Sequence, residues 1–184
     1  MNRWTTDIKE WATISHESAQ FYISQAESRL KATEDTSNAL NASNDRLLSI
    51  VTSLVSVSIG YLFAGTQPYL QAVSFFTLIV CLVSGIFLLL NLEKYSIYTV
   101  GEEPKIIFNS PFIDNQYNPS QQYLNLVCQM METIQFKIDQ NHLTNSKRIA
   151  RLEKAKRIVL LIPLAFLLAA LYLYLLGYQL VWVQ

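Results

Sequence analysis

The chain has 184 residues, 51% of them hydrophobic and only 15% charged, and its 14 basic residues balance 14 acidic ones. Soluble domains carry roughly 25% charged residues, so this chain is short of them. Net neutrality also excludes a strongly basic nucleic-acid binder and an acidic disordered tail.

The charges are unevenly placed. None occurs from Leu47 to Leu92 or from Ile158 to Gln184, so all of them lie in 1–46 and 93–157. A soluble helix keeps charges on the face that meets water. A bilayer core about 30 Å thick instead takes roughly 20 apolar residues per helix. The pattern predicts an all-α integral membrane protein with three transmembrane helices. A long N-terminal cytoplasmic helix precedes them, and a small cytoplasmic module separates the second span from the third.

Residues 1–46 contain neither Gly nor Pro, and from Ser15 onward they are rich in Ala, Ser, Gln and Glu. They read as a long polar helix that runs into the first span. Glu27 and Lys31 form an i,i+4 pair in the favourable order. The apolar residues Trp11, Ile14, Phe21, Tyr22, Leu30 and Leu40 are sparse, which leaves open a helix–helix stalk or a solvated extension.

The run 47–92 divides at Gly65-Thr66-Gln67-Pro68, where Gly and Pro punctuate a helix. One span is expected from Leu47 to Ala64 and a second from Leu70 to Leu92, as an antiparallel hairpin. Ser49, Thr52, Ser53, Ser56 and Gly60 recur at steps of three and four, which confines them to about 100° of arc on one helix face. Asn38, Ala42 and Asp45 continue that line towards the N-terminus. Ser74, Thr77, Cys81 and Gly85 make a similar stripe in the second span. Small residues let helices approach closely in lipid, and hydroxyls can bond across the contact. Either the stripes face each other and close the hairpin, or the first faces an oligomer axis and lines a water-filled path. Ser58, on the opposite side of the first span, leaves room for both.

The cytoplasmic module, 93–157, opens with an irregular part over 99–120. Gly101, Pro104, Pro111 and Pro119 forbid a long helix there. Lys105-Ile106-Ile107-Phe108 is β-prone, and Phe112 and Tyr117 add apolar surface. This part is either a ligand or partner surface or a connector packed on its own protein. Pro119-Ser120 begins a helix over 120–157, with an amphipathic stripe of Leu124, Val127, Cys128, Met131, Ile134 and Ile138. The helix ends in Lys147, Arg148, Arg151, Lys154, Lys156 and Arg157, interrupted by one acid, Glu153. These six are read as a membrane-surface anchor at the headgroups. Nucleic-acid binding is the weaker reading, because they lie where the positive-inside rule requires basic residues. The third span occupies 158–180, and Pro163 is placed to kink it as a hinge.

Arg46, Lys94 and the 147–157 run flank the spans on one side, while the hairpin turn and the tail after 178 hold no basic residue. The N-terminus and 93–157 are therefore expected in the cytoplasm and the C-terminus outside. Tyr61, Phe63 and Tyr69 beside the turn fit interfacial belts, as do Tyr172, Tyr174, Tyr178 and Trp182 at the outer end of the third span. Tyr95 and Tyr98 fit the inner belt. No cleavable signal peptide is expected.

Groups for catalysis are few. His16 and His142 lie in separate segments, and Cys81 and Cys128 form no disulfide framework or metal-ligand spacing. There is no Gly-rich phosphate loop, His-Glu metal helix or Gly-x-Ser-x-Gly elbow. The spans contain no Asp, Glu, Lys, Arg or His to relay protons. The expectation is a protein that is not an enzyme, with no cofactor and no metal. Its expected partners are the lipid bilayer, further copies of itself, and a cytoplasmic protein or signalling ligand.

Three segments carry a resemblance: Ala26-Glu27-x-x-Leu30-Lys31 before the hairpin, Tyr95 through Pro104 after it, and Asn141 to Arg157 before the last span. With the order of parts, they resemble the small membrane effectors of bacterial anti-phage immunity. These include the SLATT class and related two- or three-span proteins encoded beside nucleotide-signalling or RNA-guided CRISPR systems. The third span departs from a plain two-span effector. The resemblance implies an oligomeric inner-membrane effector that permeabilises or depolarises the membrane in anti-phage defence. The alternative is a non-conducting anchor or scaffold that recruits a soluble partner through its cytoplasmic module.

Overall fold

A computed structural model describes residues 14–65, 68–92, 97–101 and 118–182, and all regular structure among them is helical. The four helices are α1 (His16–Ala64), α2 (Pro68–Leu89), α3 (Pro119–Val159) and α4 (Leu161–Trp182). The β-prone stretch Lys105–Phe108, with Pro104, Pro111, Phe112 and Tyr117, lies outside the described residues, as do Trp11, Lys94 and Tyr95.

Local chemistry sets each boundary. Ser15 caps α1 by accepting from the Ser18 amide at 3.1 Å, and Asn118 caps α3 through the Gln121 amide at 2.9 Å. Both satisfy one orphan donor of a first turn. Pro68 and Pro119 occupy first helical positions, where a missing N–H costs nothing. Gly65 follows α1 because nothing larger fits. A Cβ there would sit 2.6 Å from the Tyr61 carbonyl oxygen and 2.7 Å from its ring. Gln71 Nε2 donates back to the Gly65 carbonyl at 2.7 Å and ties the turn to α2.

The second apolar helix stops at Leu89, short of the expected Leu92. Its end tightens into i→i+3 bonds, with the Asn91 and Leu92 amides reaching the Leu88 and Leu89 carbonyls. The break between α3 and α4 falls at Leu160. Pro163 has no N–H for the Val159 carbonyl and would crowd it, so α3 ends at Val159.

The chain divides into two compact units, Met1–Ala39 with Tyr95–Ser146, and Leu40–Lys94 with Lys147–Gln184. The division falls inside α1 and α3, which contribute to both.

In the first unit α1 and α3 run parallel. Leu30 clusters with Ile134 and Ile138, and Ala26 packs against them. The next turns bring Thr33 to Asn141 and Asn145. The buried positions of α1 are Ala19, Leu30, Thr33 and Ser37, and those of α3 include Val127, Ile134, Ile138, Asn141 and Asn145. From Leu30 in α1 and Val127 in α3, spacings of three, four and seven make this a coiled-coil-like seam. Apolar residues are sparse on this part of α1, and Thr and Ser fill the seam in their place. At its start His16 stacks on Tyr123, with ring centroids 4.1 Å apart.

In the second unit the core is Val51, Val80, Cys81, Leu88, Leu152, Ala155 and Ile162. Here α2 runs antiparallel to α3. Ser84 Oγ donates to the Ala155 carbonyl at 3.3 Å, and Asn91 Nδ2 to the Arg148 carbonyl at 3.2 Å. α2 also packs against α4. Among the described residues two helices, α1 and α2, are long and apolar enough to cross a membrane. Only 11% and 33% of their most apolar stretches are buried, so neither resembles the core helix of a soluble protein. Ile50, Val57, Phe63, Phe75, Leu82 and Ile86 point outward.

Candidate assembly face and polar seam

The two small-residue stripes have opposite fates. Ser49, Thr52, Ser53, Ser56 and Gly60 are all exposed on α1, whereas Ser74, Thr77 and Cys81 are buried and Gly85 is half-buried. The stripes therefore do not face each other. α1 packs inward through Val51 and Ser58, on the far side from its hydroxyls.

On the exposed stripe each hydroxyl is satisfied along its own helix. Thr52 donates to the Leu48 carbonyl at 2.9 Å, Ser53 to Ser49 at 2.9 Å, and Ser56 to Thr52 at 3.1 Å. This back-bonding makes a hydroxyl tolerable beside lipid. A Cβ at Gly60 would meet nothing within 4 Å, so that position is open for a neighbour.

In α2, Thr77 donates to the Val73 carbonyl at 2.9 Å. Ser84, which is fully buried, makes the cross-helix bond to α3. Sequence reasoning placed Gly85 in that stripe and missed Ser84. The steps 74, 77, 81, 84, 88 and 91 were the available signal.

The basic run also divides. Lys147, Lys154, Lys156 and Arg157 are exposed, and Arg157 lies 3.7 Å from Glu153 in an exposed pair of little energetic weight. Arg151 is half-buried and its Nη1 donates to the Leu90 carbonyl at 2.7 Å, a cation placed on orphan carbonyls at the end of α2. Arg148 departs from the surface anchor: it is 4% exposed and its guanidinium donates to Asn41 Oδ1.

Arg148, read from the sequence as part of the surface anchor, belongs to a set of buried polar residues whose other members sequence reasoning did not single out. In the second unit these are Asn44, Asn91 and Arg148, and in the first Thr33, Ser37, Lys137, Asn141 and Asn145. Most are engaged, but Asn44 is 2% exposed with neither its Nδ2 nor its Oδ1 bonded.

Of the belt aromatics, Phe63 and Tyr172 are well exposed. Tyr98 instead packs its ring on Phe136. The side chains of Tyr69, Tyr174, Tyr178 and Trp182 lie outside the described residues. Pro163 is exposed on α4. Among the described residues no three His, Cys, Asp or Glu side chains gather to hold a metal ion, and Cys81 and Cys128 are both buried free thiols.

Comparison with protein-family models, curated proteins and solved structures finds no match for this chain.

Proposed function

We propose that the protein is a three-span inner-membrane effector that self-assembles and permeabilises or depolarises the membrane in bacterial anti-phage defence. In this reading α1, α2 and α4 cross the bilayer, the N-terminus and 93–157 are cytoplasmic, and the C-terminus is outside. The observation that carries it is the outward stripe Ser49, Thr52, Ser53, Ser56 and Gly60 on an otherwise apolar exterior. Three spans cannot enclose a pore, so conduction requires several copies. A face of small residues is where helices approach closely in lipid. Hydroxyls that release their own carbonyls can then line a path for water.

The double variant Ser53→Leu, Ser56→Leu tests this reading. Leak of ions from liposomes carrying the wild-type protein is expected to fall at least about tenfold in the variant, because two leucines close the approach. A leak unchanged from wild type removes the stripe from the conduction path.

A second reading is a non-conducting anchor whose cytoplasmic part recruits a soluble partner. It is favoured by Phe21 and Tyr22, which lie edge to face at 5.9 Å on the polar part of α1 while 59% and 54% exposed. A stoichiometric partner captured without any leak decides for the anchor.

A further inference from the structure

Residues 97–101 follow α2 in the chain and are held against α3 at two points. Asn141 is fully buried and serves Tyr98 as the edge of a strand would. The Tyr98 amide donates to Asn141 Oδ1 at 2.9 Å, and Asn141 Nδ2 donates to the Tyr98 carbonyl at 2.8 Å. One turn earlier, Lys137 Nζ donates to the carbonyls of Gly101 at 2.9 Å and Thr99 at 3.3 Å. The Tyr98 ring meets Phe136 edge to face at 6.0 Å. Gly101 has φ of 90°, a left-handed backbone that favours glycine.

The same amide reaches the other helix. Asn141 Nδ2 donates to Thr33 Oγ1 at 2.9 Å, Thr33 Oγ1 donates on to the Leu30 carbonyl at 2.7 Å, and Asn145 Nδ2 donates to the Thr33 carbonyl at 2.9 Å. We propose that residues 97–101 are a latch on the α1–α3 pair, with Asn141 making the latch and the helix pairing one two-state element. A carboxamide nitrogen has two hydrogens. Asn141 gives one to Thr33 on α1 and one to Tyr98 on the strap. Lifting the strap takes the donor from Oδ1 and one acceptor from Nδ2 in a site closed to water. An amide left unsatisfied there destabilises the seam around Thr33. Separation of the helices loosens the strap by the same route. A partner that draws the strap away would thus weaken the α1–α3 pairing without touching α1. The latch rests on the geometry around Asn141 and stands whether or not the chain conducts.

Amide hydrogen exchange on the full chain in detergent tests the latch. Thr33→Val keeps the shape of the side chain and removes its hydroxyl, and Thr33 makes no bond to Tyr98. The Tyr98 amide is expected to exchange about tenfold faster in this variant and to return to the wild-type rate in Thr33→Ser. Lys137→Met reads the coupling in the other direction and should speed exchange of the amides over 33–37. Wild-type exchange at Tyr98 in Thr33→Val, or over 33–37 in Lys137→Met, overturns the latch.

Discussion

Leu30→Ala is expected to separate α1 from α3 over the first unit. Leu30 has no exposed surface and is held by Ile134, Ile138 and Ala26. Truncating a buried leucine costs about 2–5 kcal/mol, more where the site cannot collapse. Here the adjoining buried positions of α1 and α3 are Thr33, Ser37, Asn141 and Asn145, which cannot fill an apolar void without losing hydrogen bonds. Arg29 and Lys31 flank the site on exposed positions, so trypsin reports the separation directly. Cleavage after these two residues should accelerate at least about 30-fold, since each 1.4 kcal/mol is a factor of ten. A wild-type cleavage rate would mean that the cluster does not hold α1.

Asn44→Leu is expected to act in the opposite direction. Asn44 is buried and neither atom of its carboxamide has a partner. Leaving a buried donor or acceptor unmade costs about 1–3 kcal/mol. Leucine keeps the branched four-atom outline, takes somewhat more room with its two methyls, and gains from burial beside the apolar core that includes Val51 and Leu152. The variant should be more stable by about 1–3 kcal/mol, read as a higher denaturation midpoint in detergent. A loss of stability would assign Asn44 a bonded role in the folded chain. Natural chains keep such residues where specificity or movement outweighs stability, and Asn44 lies one turn from the Asn41–Arg148 bond.

The charge-free runs made the apolar helices legible, because a helix that loses every Lys and Glu has no aqueous face. The turn was equally legible, since Gly65 and Pro68 have local steric reasons to be where they are. The stripe of α3 was visible as leucine, valine and isoleucine at helical spacing. The buried face of α1 was not. It follows the same spacing through Ala19, Leu30, Thr33, Ser37, Asn44 and Val51, but a count of apolar residues overlooks a seam built from Thr, Ser and Asn. Arg148 was misread for a related reason. A basic residue beside a span is expected at the headgroups, and only the tertiary fold turns it towards Asn41. The direction of the α1 hydroxyl stripe was likewise undecided, because both sides of the first span carry small polar residues. Packing through Val51 and Ser58 left Ser49, Thr52, Ser53, Ser56 and Gly60 outside.

This arrangement separates two tasks along one helix. The polar part of α1 is matched to α3 through buried hydrogen bonds, which fix register. The apolar part displays a small-residue face that is exposed among the described residues. In the proposed effector, the first part receives or resists a trigger and the second assembles.

The mass of the purified protein in detergent, with bound detergent subtracted, tests self-assembly most directly. The account predicts a closed ring of four or more subunits, reduced to smaller species by Ser53→Leu with Ser56→Leu. A monomer or dimer would contradict it, because so few helices cannot enclose a path for ions.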